Sequence, residues 1–464
     1  MDKERNVILI TIDCLRPDFL KAFNQEMNKT ITPNLDKIAK GGVIFNNAFS
    51  NGPSTPFSFP SIFTSTYPLM NPQFPKIARQ FLTFPKILSE NGIKTLGFNS
   101  NPYLSKSFNY NMMFDNYFDF SSQNFGIKDQ ILNNKIIKFT NLNIIKKILY
   151  KVSIFLWFNY WYRLTAPYKR AKEINQYVIS CLKNTDSNFF TWIHYMDTHH
   201  PFLPTNKFRS KKRSEMFRTE EFIHKKIKKY SKIHQENVLS FYKDTIKYVD
   251  FEIGKLVSNL KRINKLNKTL IIITSDHGEE IGEHGGFGHT SKLYDEVLKV
   301  PLIINGPDIN SGDPINELIS LIDIGPTILD YFNLEMCEDF LGKSLIPLLT
   351  KDKKLRNFRD KGVFSETLIK NSRVTLSLRQ GSKKISYRSL TWKIIWNFEK
   401  NQLELYELRK DPQEKNNIIK QKTKIRQELI NKLIEFNTFQ NKKFQQYKKR
   451  ILLYDNISQQ FENF

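Results

Sequence analysis

Cysteine is nearly absent: 464 residues carry three, Cys14, Cys181 and Cys337. Three widely separated thiols build no disulfide framework, and their spacing fits no zinc knuckle. Stability must therefore come from a hydrophobic core, and a reducing compartment suits the chain. Long apolar runs are missing too. A spanning helix takes roughly 20 consecutive apolar residues, and none is found. The opening MDKERNVILITID passes from charge into a short β-branched run, too short and wrongly flanked for a secretory signal, so the cytoplasm is the expected location. Acid is the third scarcity. Against 71 Lys and Arg stand 46 Asp and Glu, a net charge of +25, and residues 351–464 hold 27 of those bases against 12 acids, a net of +15. Such a surface favours anionic partners such as phosphorylated or sulfated substrates or anionic lipid heads. Lys-, Asn- and Ile-rich usage on solvated faces gives the same balance. No RNA-recognition, helix-turn-helix or zinc-finger pattern accompanies the charge, so nucleic acid is not an expected partner.

What is present reads as globular. With 40% apolar and 25% charged residues, the chain can fill one large core and a smaller companion. Residues 6–12, NVILITI, form a continuous apolar run of the kind buried on both faces of a sheet, ending at Asp13. FPKILSENGIKTLGFNSN places Pro85 near a helix start and Gly92 past its end, before a strand over 93–98. The alternation continues through NFFTWIHYMD, an amphipathic stretch over 235–262, and KTLIIITSDHG. The expectation is an α/β fold with a mostly parallel central sheet flanked by helices, in which ligands bind beyond the carboxyl ends of strands. Asp13, Asp197 to His200, and Asp276 with His277 all follow such ends. After about residue 350, VFSETL, RVTLSLRQG, KKISYRSLTWKIIWNF and QLELYEL suggest a small antiparallel sheet, followed by a basic helical tail. The expected organisation is a domain over 1–350 and a subdomain over 351–464. Residues 135–170 stand apart as an insertion, with eight Lys and Arg, no acid, and FLWFNYWY. They read either as a lid helix or as a peripheral contact with an anionic membrane.

TSDHGEEIGEHGGFGHT gathers Asp276, His277, His284 and His289 just beyond an apolar strand. Carboxylate and imidazole together suit calcium, manganese or zinc, with Asp13 the natural third ligand. Thr55 precedes Pro56, the pattern of an N-cap followed by proline in the first turn. A helix N-terminus also favours a tetrahedral oxyanion. A hydroxyl beside a divalent cation there would lose its proton readily, making Thr55 a candidate nucleophile and ligand. Ser54 and Ser58 compete for the role.

NVILITIDCLRPD, SIFTSTYP, HYMDTHHPF, DHGEEIGEHGGFGHTSKLYDEVLKVPLII, SLIDIGPTILDYF with FLGKSL, and ELYELRKDPQEKNN occur in an order that resembles the sulfatase family of the alkaline phosphatase superfamily. The resemblance implies an alkaline-phosphatase-like α/β domain with a smaller C-terminal antiparallel sheet, one divalent metal, and attack on a sulfate or phosphate ester. It makes Asp13, Thr55, Asp276 and His277 metal ligands. His199 and His289 would face the ester or its leaving group, with Arg16 and Lys292 as charge partners. A second metal held by Asp197, His200 and His289 is a variant of the scheme. Counting back from Thr64, Thr55 occupies the position of the family's formylglycine precursor, with Phe57 and Phe59 in place of the signature's proline and arginine. Threonine has no primary carbon to oxidise to an aldehyde, so no formylglycine is expected and phosphoesters are preferred to sulfate esters. Cys14 stands where many sulfatases place a second ligand Asp; it reads as a packing residue or a thiolate ligand. The alternatives are a phosphoglycerol- or phosphoethanolamine-type transferase and a non-catalytic anion-binding relative.

Overall fold

The computed structural model describes residues 4–121, 168–212, 214–216, 232–289, 291–309, 312–350, 358, 362–369 and 382–462. Most of the expected insertion over 135–170, and the stretch RVTLSLRQG, lie outside these residues. So does nearly all of 351–361, where the boundary between the two expected units falls.

Strands β1 (Asn6–Ile12), β2 (Val43–Phe49), β3 (Lys94–Asn99), β4 (Asn116–Asp119), β5 (Phe189–Tyr195) and β6 (Thr269–Thr274) belong to one sheet, at whose centre β1 pairs with β5 and β6. β1, β5 and β6 are buried at every position, as continuous β-branched and aromatic runs covered on both faces should be. Alternation sorts their side chains. Val7, Leu9, Phe190, Trp192, Leu270 and Ile272 join one hydrophobic cluster, while Ile8, Ile10, Ile12, Ile193, Ile271 and Ile273 join the other.

Helices α1 (Pro33–Lys40), α2 (Thr55–Thr64), α3 (Phe84–Glu90), α4 (Ala171–Lys183) and α5 (Lys232–Arg262) divide between those faces. Leu35, Ile174 and Val249 of α1, α4 and α5 line the second cluster; Phe59, Phe63 and Phe84 of α2 and α3 line the first.

Further along come the two-residue strands β7 (Glu280–Ile281) and β8 (Phe287–Gly288), then β9 (Lys299–Val300), β10 (Leu302–Asn305) and β11 (Ile315–Ser320). The large sheet has nine strands in the order β11-β2-β10-β6-β1-β5-β3-β4, with β9 pairing β2. β6, β1, β5, β3 and β4 run parallel. β10 is antiparallel to both its neighbours, so β2 points the same way as β6. The carboxyl ends of β1, β2, β3, β5 and β6 therefore share one edge, which brings Asp13, Thr55, Asn101, Asp197 and Asp276 to the same rim.

The C-terminal strands β12 (Val363–Leu368), β13 (Lys383–Arg388), β14 (Trp392–Asn397) and β15 (Gln402–Glu407) form a fully antiparallel four-stranded sheet. Helix α6 (Thr423–Glu462) follows. Ile385, Tyr387, Ile394, Leu405 and Leu433 belong to the same cluster as Phe45 and Phe63, so this sheet and the large one share a core. Among the described residues no helix is long and apolar enough to cross a membrane.

Candidate active site

The rim is stitched at backbone level before any chemistry is added. Asp13 N extends the β1–β5 ladder by donating to Tyr195 O at 2.9 Å. The Ser275 hydroxyl donates toward Ile12 O and His277 O, both at 2.6 Å, and accepts from Leu15 N at 2.9 Å. The loops after β1 and β6 are thereby locked together. A Cβ on Gly278 would meet Glu296 O at 2.2 Å, so only glycine lets the chain pass so close.

Asp13, Asp276 and His277 are wholly buried and present one ligand atom each within 4.8 Å of the others. His277 Nε2 stands 3.3 Å from Asp276 Oδ2 and 3.7 Å from Asp13 Oδ1. Its Nδ1 faces Gly278 O at 2.9 Å. With Nδ1 donating there, Nε2 offers a lone pair to the cluster, and that buried nitrogen has no hydrogen-bond partner. Burial, reinforced by neighbouring His289, pushes His277 down to about 3. Burial and the adjacent Asp13 charge push Asp276 well above the carboxylate range. Burial would raise Asp13 as well, but His199, the hydrogen bond from His194, and His277 hold it well below. Two crowded carboxylates and a bare imidazole nitrogen, sealed from water, fit a divalent cation.

Thr55 opens α2, with Ser54 as the N-cap residue and Pro56 in the first turn. This corrects by one residue the expectation that Thr55 caps the helix. Neither hydroxyl is used as a cap, and Thr55 Oγ1 instead donates to Asp276 Oδ2 at 3.1 Å. The Ser58 hydroxyl turns back onto Thr55 O at 3.4 Å. Phe57, where the resemblance would place proline, packs on Phe74. Phe59, in place of arginine, is fully buried against Trp192 and His194.

His199 and His289 flank the cluster, their ring centroids 4.9 Å apart and His289 4.3 Å from His277. His289 Nδ1 pairs with Glu279 Oε2 at 2.7 Å. Burial works against its charge, yet Glu279 keeps its pKa above the ordinary imidazole value. Burial lowers His199. Arg16 and Lys292 are held outside this group. Arg16 bonds Asp18, Glu283 and Glu279 O, whereas Lys292 Nζ meets both Glu280 oxygens at 2.7 Å and His284 O at 2.9 Å. Asp197 turns away, accepting from Ala171 N at 2.9 Å beside Arg170, so it does not gather with His200 and His289. His284 lies against Glu296 at 2.5 Å and Glu414 O at 3.0 Å.

Two residues escaped the sequence reading. Asn101 Nδ2 stands 3.1 Å from Asp13 Oδ2 and 3.3 Å from Thr55 Oγ1. It lies just past the end of β3, and the strand-end rule that singled out Asp13 would have found it. His194 Nε2 meets Asp13 Oδ2 at 3.2 Å, while its Nδ1 meets Thr11 Oγ1 at 2.9 Å, which in turn accepts from Trp192 Nε1 at 2.9 Å. Only the β1–β5 register, with Thr11 opposite His194, reveals that chain of contacts.

Residues 5–334 match the family model described as Sulfatase, and residues 282–439 match the one described as N-sulphoglucosamine sulphohydrolase, C-terminal. Human arylsulfatase K is 31% identical over 142 residues, covering 30% of this chain and 26% of that protein. N-acetylglucosamine-6-O-sulfatase of Bacteroides thetaiotaomicron is 31% identical over 179 residues, covering 38% of this chain and 31% of that one. The matched stretch is thus less than a third of either relative's length. Two solved structures share the fold over nearly the whole chain. One is a protein in complex with its substrate D-glucosamine-2-N,6-O-disulfate, at 20% identity, TM-score 0.72, covering 95% of this chain and 98% of that one. The other is the phosphonate monoester hydrolase of Agrobacterium radiobacter, at 19% identity, TM-score 0.72, covering 94% and 96%. With a family model matching well over half its length, and the α/β architecture to go with it, the chain belongs to the sulfatase family.

Proposed function

We propose that this chain is a metal-dependent hydrolase of phosphate or sulfate esters that attacks through Thr55, with phosphoesters preferred. The supporting observation is the 3.1 Å approach of Thr55 Oγ1 to Asp276 Oδ2, at a buried helix N-terminus beside a donor set that suits a cation. A divalent ion held by Asp13, Asp276 and His277 would supply Lewis acidity to the hydroxyl and neutralise charge on the ester. The remaining work falls to side chains. Asn101 fixes the Thr55 oxygen and can donate to a non-bridging oxygen as charge builds there. The N-terminus of α2 favours the same anion. Thr55 Oγ1, its own proton released to solvent, forms a bond to phosphorus as the leaving alcohol departs with the P–O electron pair and takes a proton from the His199 and His289 side. Water then attacks the phosphorus of the phosphothreonine and returns a proton to the His199 and His289 side, while the Thr55 oxygen leaves with the P–O electron pair and takes up a proton from solvent, freeing phosphate and restoring the hydroxyl. The names of the similar proteins, sulfatases on one side and a phosphonate hydrolase on the other, support an anionic tetrahedral ester as substrate.

The test is a parallel assay of metal-stripped protein on aryl sulfate, aryl phosphate, aryl phosphonate and bis-aryl phosphate, reloaded in turn with calcium, manganese or zinc. Faster sulfate-ester than phosphoester turnover with every ion overturns the preference. No turnover of any ester overturns the hydrolase.

A further inference from the structure

We propose that Cys14 Sγ is a ligand of the bound cation alongside Asp13, Asp276 and His277, so that the centre selects zinc-like thiophilic ions over calcium. The inference rests on the metal-dependent reading above and narrows the class of ion.

Three observations carry it. Cys14 Sγ lies 3.0 Å from Asp13 Oδ1 and 3.4 Å from His289 Nδ1. Its sulfur, a His277 nitrogen and a His289 nitrogen all fall within 4.8 Å of one another, as do sulfur, Asp13 and His199. Independently, His277 belongs both to the sulfur-containing group and to the one with Asp13 and Asp276, and its Nε2 is buried without a hydrogen-bond partner. One buried imidazole thus stands within reach of thiol and carboxylates together. The third observation is what surrounds the sulfur. Cys181 and Cys337 pack against the hydrophobic clusters, whereas Cys14, wholly buried, joins neither and meets a carboxylate and an imidazole instead. A cysteine retained for packing would show the opposite neighbours.

The backbone is built to hold it there. Cys14 has φ of 61°, a left-handed conformation uncommon for a residue with a Cβ. It is pinned on both sides by Cys14 N to Asp276 Oδ1 at 3.4 Å and by Tyr242 Oη donating to Cys14 O at 2.6 Å. Two carboxylates, one imidazole and one thiolate make a four-donor set suited to zinc or cobalt(II), with an expanded position left for Thr55 or the ester. Calcium takes six to eight oxygens, and sulfur in place of a carboxylate works against it. Ion binding displaces the thiol proton to solvent.

The deciding experiment uses the full chain, metal-stripped and titrated with cobalt(II). One equivalent should produce a thiolate-to-cobalt charge-transfer band in the near ultraviolet. That band should vanish in Cys14→Ser and persist when Cys181 and Cys337 are both replaced by Ser. Equimolar zinc should erase it, while about a tenfold excess of calcium should not. Cys14→Asp, which restores a charged ligand and tolerates the left-handed backbone, should bind cobalt without the band and gain calcium competition. Cobalt bound by the wild type with no such band, or a band that survives Cys14→Ser, overturns the role of Cys14 and leaves the hydrolase standing. Wild-type protein that binds no cobalt at all overturns both.

Discussion

Asn101 Nδ2 stands 3.3 Å from Thr55 Oγ1 while also meeting Asp13 Oδ2 at 3.1 Å, so one amide joins the proposed nucleophile to the proposed ligand. Removing it in Asn101→Ala should lower kcat by about 10²–10³, the usual cost of losing one donor to a reacting centre, with a smaller change in KM. Steady-state kinetics on the best ester from the assay above provide the check, and an unaltered kcat would remove Asn101 from the reacting geometry.

Thr55→Ala should cost at least roughly a thousandfold in turnover, by analogy with nucleophile deletions elsewhere. The fold should survive, because Thr55 makes no cap and its hydroxyl bond goes to the site. Thr55→Ser should keep part of the rate. Equal Tm values with turnover lost only in Thr55→Ala are the expected pattern. Wild-type turnover in Thr55→Ala would pass the role to Ser54 or Ser58.

Asp13 is oriented from behind by His194, itself held by Thr11 and Trp192. Groups that orient a ligand typically govern affinity by 10–100-fold. His194→Gln should therefore weaken metal binding by about that factor, read by calorimetric titration of stripped protein. Unchanged affinity would show that Asp13 keeps its pose without this support.

How much of this was legible depends on how far each residue's partners lie along the chain. β1, β5 and β6 are apolar runs whose burial on both faces is written locally, and Asp13, Asp276 and His277 follow their ends directly, so both could be read without a structure. The His194 contact needs the strand order, because Thr11 and His194 meet only when β1 and β5 pair. Arg16 and Lys292 were picked by their place in a motif, but electrostatics inside the fold redirects them: Asp18 and Glu283 capture one, Glu280 the other. The N-cap shifted from Thr55 to Ser54 because proline fixes the first turn without deciding which hydroxyl precedes it.

His284 offers a pH test away from the cation cluster. Burial would lower its pKa, but the hydrogen bond with Glu296 and the Glu414 carbonyl raise it above 6.5. A histidine whose folded pKa exceeds its unfolded one stabilises the native state fully below the unfolded value, and that stabilisation fades as pH rises through the folded value. The stability difference between wild type and His284→Gln should therefore be greatest near and below pH 6, by about 1 kcal/mol, and shrink in alkaline solution. Thermal melts across that range measure it; a difference that grows with pH contradicts the assignment.

Phe59 decides whether the family's usual signature could be grafted onto this chain. The ring is fully buried, edge-on to Trp192 at 5.3 Å and to His194 at 4.9 Å, and stacked on Phe63 at 5.9 Å. Phe59→Ala should cost about 3–5 kcal/mol through the cavity it leaves. Phe59→Arg should cost at least as much, because a guanidinium there would sit among aromatic rings with no carboxylate partner from α2, whose first turn holds no acid. The triple change Thr55→Cys, Phe57→Pro, Phe59→Arg should then melt well below wild type and gain no sulfatase activity even beside a formylglycine-generating enzyme. Should it melt normally and gain that activity, the aromatic packing of α2 is not what bars the signature.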